Sequence, residues 1–164
     1  MLIKRRCKLT SKIHNKNISE LNLSESGISF KFMGNLVVID PARFSDPYAV
    51  FFDEEYGYLD VKDKDVIDIG MNIGDSTIYF SLRGAKRIIG VEPYPYSFSF
   101  AEKNVRLNNI RNATLLNAGY GKDSNINVDL RKVSSSGSVL SQSDNGKEIP
   151  YLFSFVFNYF HQLS

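Results

Sequence analysis

The residues with the clearest chemical potential lie in the run Asp68-Ile-Gly-Met-Asn-Ile-Gly-Asp-Ser and, further on, at Glu92 and Pro93. Val66-Ile-Asp-Ile reads as a strand, and Thr77-Ile-Tyr-Phe-Ser-Leu reads as a helix, so the run falls where a buried strand breaks into a helix. That is where open α/β sheets bind their ligands. Gly70 and Gly74 remove side chains where a ligand would approach the backbone, and the helix amino terminus behind them offers unsatisfied N–H groups. A glycine turn alone, or a strand-end acid alone, is more often folding chemistry than a site. The combination of an acid, two glycines and a second acid after the next strand carries the specificity.

The ligand class follows from what the run lacks. A dinucleotide turn needs Gly-x-Gly-x-x-Gly so that pyrophosphate can lie on bare backbone. Counted from Gly70, the second and third glycine positions hold Asn72 and Asp75, which add side chains and a negative charge. NAD fits poorly. A phosphate-free cation reverses the argument, because Asp68 and Asp75 would face positive groups, and S-adenosyl-L-methionine carries both an ammonium and a sulfonium. Glu92 lies 92 − 70 = 22 residues beyond Gly70, close to the ~20 at which a strand-end acid meets ribose hydroxyls.

The elements that must position these residues are legible on both sides. Arg87-Ile-Ile-Gly-Val reads as a second strand ending at Glu92, and Ala113-Thr-Leu-Leu-Asn as a third. Between them, residues 96–108 place Phe100, Ala101, Asn104, Val105 and Leu107 at helical spacing. Strand, helix, strand, helix, strand predicts a parallel sheet with right-handed crossovers. Towards the amino terminus, residues 28–33 and 35–40 predict a hairpin turning near Gly34, and Ser45-Asp46-Pro47 starts a short helix over residues 47–56. Beyond Gly121, Ile126-Asn-Val-Asp-Leu is a candidate strand, and residues 134–146 form a Ser/Gly/Asn-rich loop. The expected division is an accessory hairpin and helix over residues 1–60 and a Rossmann-like α/β domain over residues 61–164.

Over residues 47–123 the chain resembles the FkbM-type methyltransferases. The resemblance rests on Val66-Ile-Asp-Ile-Gly-Met-Asn-Ile-Gly-Asp-Ser, Gly90-Val-Glu-Pro-Tyr-Pro, Asn104-Val-Arg-Leu-Asn-Asn and Leu116-Asn-Ala-Gly-Tyr-Gly. It implies a class I methyltransferase fold, a parallel sheet with flanking helices, and S-adenosyl-L-methionine as cofactor. It also implies O-methylation of a small hydroxylated acceptor. Carried over, Asp68, Gly70, Met71, Asn72, Gly74, Asp75 and Ser76 surround the methionine part, Glu92 and Pro93 meet the ribose, and Asn117 and Ala118 lie beside adenine. Met71 stands where the family usually has alanine, a departure that a backbone contact tolerates. No catalytic base is identified. The family pattern continues, after an Ile-Pro start, into a strand ending in an acidic segment; here Ile149-Pro150 is followed by residues 151–164, which contain no acid. An incomplete sheet is therefore expected. A non-catalytic remnant that binds the cofactor or dimerises is the second reading, and a dehydrogenase the third.

Composition excludes several other classes. With 43% hydrophobic and 23% charged residues the chain is neither disordered nor fibrous. Lys4, Arg5, Arg6, Lys8 and Lys12 form a basic cluster with no nucleic-acid motif beside it, so it reads as a solvated face and no nucleic-acid partner is expected. Cys7 is the only cysteine, and His14 and His161 lie far apart, so neither a disulfide nor a metal centre is expected. The first residues are broken by charge too early for a signal peptide, and the apolar residues 151–160 are about half the ~20 that span a bilayer. A cytoplasmic protein without a membrane span follows, and the matches to glycosylation acceptors at Asn17, Asn22 and Asn112 read as chance. The aromatic segment 151–160 is expected to dock on the open sheet edge, within its own chain or across a homodimer.

Overall fold

The computed structural model describes residues 15–24, 27–40, 47–119, 126–128 and 147–149. Strands β1 (Ile18–Ser24), β2 (Gly27–Phe32) and β3 (Asn35–Ile39) form an antiparallel sheet in that order. The predicted hairpin is β2–β3, with Phe32 opposite Asn35. Met33 and Gly34, between them, both have positive φ, as a primed turn requires to match strand twist. β1 was not expected. Its apolar residues Leu21 and Leu23 are only partly buried, and its ladder slips between Ser19 and Asn22, which weakens the alternation that announces a strand.

The helix predicted over residues 47–56 is shorter, a π-type turn over Tyr48–Phe52 in which the Asp53 N–H donates to the Tyr48 carbonyl at 3.2 Å. It stops early because Glu54 is left-handed, at φ +47, and Gly57 closes back on the Glu54 carbonyl at 2.7 Å. The expected cap at Ser45-Asp46 lies outside the described residues.

The predicted alternation of strands and helices is present. β4 (Asp65–Ile69), β5 (Arg87–Val91) and β6 (Ala113–Leu116) form a parallel sheet in the order β4-β5-β6. Helices α1 (Asp75–Leu82) and α2 (Pro95–Leu107) connect them. α1 buries every residue from Asp75 to Phe80 because it lies between the two sheets. Phe30 and Phe32 of β2 meet Phe51 at ring separations of 5.1 and 5.3 Å, and Phe51 meets Tyr79 of α1 at 5.6 Å. Such edge contacts contribute about 0.5–1.5 kcal/mol each beyond the area they bury. One core therefore runs from the N-terminal sheet through α1 to Ile88 of β5.

β4 corrects one expectation. Read as a wholly buried strand, it leaves Ile67 45% and Ile69 53% exposed, whereas their neighbours Ile89 and Val91 in β5 are only 1% exposed. Among the described residues β4 is one of the two outer strands of its sheet, and only its Val66/Asp68 side is covered, by α1 and the core. β7 (Ile126–Val128) and β8 (Lys147–Ile149) pair antiparallel as a separate ribbon. The predicted loop 134–146 and the aromatic segment 151–160 lie outside the described residues, as do the basic cluster, Cys7 and both histidines. No helix of the described residues is long and apolar enough to cross a membrane.

Candidate functional site

The turn after β4 is built from backbone. The Gly70 and Met71 N–H groups both donate to the Val91 carbonyl, at 2.8 and 3.1 Å, which bends the chain over the end of β5. Gly70, Asn72 and Gly74 are all left-handed, at φ +83, +49 and +83. The two glycines have different tasks. A Cβ on Gly70 would meet nothing within 4 Å, so this glycine faces open space. A Cβ on Gly74 would lie 3.1 Å from the Ala101 Cα, so the missing side chain at Gly74 admits α2, whereas the sequence reading assigned it to ligand approach.

Asp68 is buried, and its Oδ2 accepts hydrogen bonds from the hydroxyls of Ser76 at 2.8 Å and Thr77 at 2.6 Å. It thereby ties the end of β4 to the first turn of α1. Burial raises its pKa, and the two hydroxyls only partly offset that rise. Asp75 and Ser76 are buried in the same turn. Met71 is fully buried, and its sulfur lies across β5 where a Cβ on Gly90 would collide with it. The long side chain in place of alanine is thus turned inward over a glycine, and Met71 presents only backbone to the turn.

Glu92, at the end of β5, is 7% exposed, less open than a surface-facing strand end. Its two oxygens are held separately: Oε1 accepts the Tyr94 N–H at 2.8 Å and Oε2 the Asn72 N–H at 3.0 Å. Burial is the largest influence on its pKa and raises it; the two N–H groups lower it, and the charge of Asp68 raises it again. Asn117, after β6, donates through Nδ2 to the carbonyls of Glu92 at 2.8 Å and Pro93 at 3.3 Å, and Ala118 beside it is buried. The sequence-predicted residues thus gather at the carboxyl ends of three adjacent parallel strands.

Two contributors, Thr77 and Asn104, escaped the sequence reading as parts of the site. Thr77 was read as helix alone, although its hydroxyl holds Asp68. Asn104 was read as a helical position and as the first residue of a motif that carries the family resemblance, with no role in the site, yet its Nδ2 donates to the Ile73 carbonyl inside the turn at 2.9 Å. A polar residue at a core-facing helical position was the available signal. Tyr56 packs its ring 5.3 Å from that of Phe80, and its pKa is pushed up to about 12, first by burial, then by Glu55, to which it is hydrogen-bonded, and by the charges of Asp68 and Asp75. Its phenol stays protonated at neutral pH. Among the described residues no group of three His, Cys, Asp or Glu could hold a metal ion.

No family model matches the chain. A Methanocaldococcus jannaschii protein named "Putative protein N5-glutamine methyltransferase" is 44% identical over 52 residues, which are 32% of this chain and 26% of that protein. "Uncharacterized protein 158B" of Sulfolobus islandicus rod-shaped virus 1 is 54% identical over 41 residues, 25% of this chain and 26% of its own length. The match thus spans about a quarter of the length of each curated relative. Among solved structures, M. jannaschii TYW2 in complex with AdoMet aligns over 62% of this chain and 47% of its own, with 19% identity and a TM-score of 0.43. A methyltransferase FkbM from Methylobacillus flagellatus aligns over 52% of this chain and 24% of its own, with 20% identity and a TM-score of 0.40.

Proposed function

We propose that this chain binds S-adenosyl-L-methionine at the carboxyl ends of β4, β5 and β6 and forms the cofactor-binding part of a methyltransferase. One observation carries the reading: two buried carboxylates on adjacent strands, Asp68 and Glu92, flank a glycine that faces open space. Among the described residues neither carboxylate has a Lys or Arg partner; the ion pairs lie elsewhere. Burying a carboxylate without a cation is costly. A positively charged ligand offsets that cost, and a pyrophosphate adds to it.

The donor set fits the cofactor part by part. Both hydrogen bonds to Asp68 fall on Oδ2, so Oδ1 keeps its lone pairs for a ligand cation. Each Glu92 oxygen spends one lone pair on a backbone N–H and keeps another for a ribose hydroxyl. Asn117 braces the Glu92-Pro93 backbone and leaves Ala118 as an apolar neighbour for adenine. The cofactor, when bound, supplies an electrophilic methyl group on its sulfonium. The protein's share of the chemistry is to hold donor and acceptor at attack distance.

The resemblance to FkbM-type enzymes supports a small hydroxylated acceptor methylated on oxygen. A second reading, a side-chain amide as acceptor, is favoured by the 44% identity over 52 residues to the archaeal protein named as a glutamine methyltransferase. Calorimetric titration of the full chain with S-adenosyl-L-methionine, its demethylated product and NAD tests the cofactor. Binding of the first two without NAD is expected; tight NAD binding with no response to the others overturns the reading. Methyl transfer from labelled cofactor to a polyol or to a glutamine peptide then separates the acceptors.

A further inference from the structure

Asn104 of α2 and Asn108, the residue that caps its carboxyl end, lie about one helical turn apart, and both reach the edge of the N-terminal sheet. Asn108 imitates a neighbouring strand: its Oδ1 accepts the Val38 N–H at 2.8 Å, and its Nδ2 donates to the Val38 carbonyl at 2.7 Å and to the backbone carbonyl of Asn104 at 2.8 Å. Asn104 joins two parts of the molecule instead. Its Oδ1 accepts the Asp40 N–H at 2.9 Å, its Nδ2 donates to the Ile73 carbonyl at 2.9 Å, and the side chain is wholly buried. Ile73 lies between Asn72 and Gly74, inside the turn that frames the crevice. Asp40 is fixed a second time, by an ion pair with Lys103 of α2.

The turn needs such a fixture. Three of its residues are left-handed, one of them the non-glycine Asn72, and residues in that region stay there only when their surroundings hold them. From the β5 side the turn is pinned by the Gly70 and Met71 N–H groups on Val91 and by the Asn72 N–H on Glu92. From the α2 side it is pinned by Asn104. Ile73 is itself only 2% exposed, so its carbonyl has no ready substitute in water for the Asn104 amide.

We propose that Asn104 is a positioning residue for the cofactor: by tying Ile73 to the end of β3 it fixes the crevice turn, so that the N-terminal sheet helps set cofactor affinity. The inference rests on the crevice being the S-adenosyl-L-methionine site. The tie acts through geometry, because the Asn72 N–H, one residue from Ile73, orients Glu92. A turn released on the α2 side leaves the Oε2 of Glu92 without a fixed partner, with only Oε1 still held by the Tyr94 N–H, and the Gly70 opening without a fixed width.

Asn104→Asp and Asn108→Asp form a matched pair in the full chain. Each keeps an acceptor for its backbone N–H, that of Asp40 just past β3 or that of Val38 within it, and loses a donor, but only at position 104 does the new carboxylate oxygen face the Ile73 carbonyl of the turn; at position 108 it faces the carbonyls of Val38 and Asn104. Amide hydrogen exchange over residues 70–75 without cofactor, Kd for S-adenosyl-L-methionine and Tm are measured for both. Asn104→Asp is expected to exchange at least tenfold faster in the turn and to raise Kd at least tenfold. Asn108→Asp is expected to lower Tm with Kd within twofold of the parent. If Asn104→Asp does not fold, Asn104→Ser, which gives up both bonds without burying a charge, is read by the same criteria. A Kd within twofold of the parent for the position-104 variant, or equal rises in both variants, overturns the proposal. A parent chain that fails to bind the cofactor overturns the proposed function instead. The exchange comparison then decides alone, and equal turn exchange in the two variants counts against Asn104.

Discussion

The two ends of the β4–β5 pair are electrostatic opposites. At the amino end, Asp65 lies beside Arg87, with Nε donating to Oδ1 at 2.8 Å, and the guanidinium holds the carboxyl below its usual range. At the carboxyl end, three residues along the same strand, burial pushes Asp68 up, and Glu92 on the neighbouring strand is pushed up as well. One end has its cation built in. The other has serine and threonine hydroxyls and backbone N–H groups, which orient carboxylates without neutralising them. The difference supports the proposed site: an acid paired within the fold has its charge met there, whereas an acid buried without a counter-ion leaves its charge to be met by a ligand.

The sharpest way to break this comparison is to close the opening between the two acids. Gly70→Val places a branched side chain in the crevice and in a left-handed conformation that costs an L-residue roughly 1–2 kcal/mol. Cofactor binding is expected to fall at least a hundredfold in a chain that still folds, as calorimetry and circular dichroism would show. Gly74→Ala acts elsewhere: its Cβ presses on α2, so Tm falls first. Were Gly74→Ala the more damaging to affinity at equal stability, the roles assigned to the two glycines would be reversed.

Glu92→Ala is next in size. Losing a charged hydrogen bond to the ribose should weaken binding by about 1.5–3 kcal/mol. Because Glu92 is buried and holds two N–H groups, the variant should also lose some Tm, more than an exposed strand-end acid would. Unchanged affinity in a folded variant would reduce Glu92 to a brace for the turn.

Asp68→Asn sharpens the contrast in sign. A carboxyl whose folded pKa is raised binds its proton more tightly folded than unfolded. Its stabilising contribution is therefore full below the ordinary carboxylate range and is lost as pH rises through the folded value. Asparagine can still accept from Ser76 and Thr77 but never ionises, so at pH 7 the variant should gain Tm while cofactor affinity drops about tenfold. Asp65, with a lowered pKa, obeys the opposite rule: its contribution is present above the ordinary range and lost as pH falls through the lowered value. Asp65→Asn should leave affinity unchanged and shift Tm slightly, downward, which a thermal melt at pH 7 and again in acid would register.

Much of this contrast was visible in the chain itself, for a physical reason. Strand periodicity, glycine placement and strand-end acids are local signals, and they located β4 to β6, both helices and the residues that gather at the crevice. What they missed depends on partners distant in sequence. Asn104 stood out as part of a family motif but not as part of the site, because its two partners, Ile73 and Asp40, lie 31 and 64 residues away. β1 is anchored by Asn15 and Asn17 to Glu54 and by a slipped ladder, neither of which leaves a periodic trace. The exposure of Ile67 and Ile69 depends on tertiary packing, since none of the described residues covers that side of β4, and the apolar run Val66-Ile-Asp-Ile could not reveal it. Met71 is the converse case, where an unusual residue type was noticed but its accommodation over Gly90 became clear only in three dimensions.

The central claim is that Asp68 and Glu92 together receive a positively charged ligand. Titration of the full chain with S-adenosyl-L-methionine from pH 8 down to pH 5 tests it most directly, in two buffers of different ionisation enthalpy so that proton exchange is counted. The account predicts affinity that weakens on acidification, beginning above the ordinary carboxylate range, with protons released on binding at the acid end as the ligand's charge drives the two carboxyls to ionise. Affinity that is flat across this range with no proton release would contradict it, because the carboxylates would then be spectators.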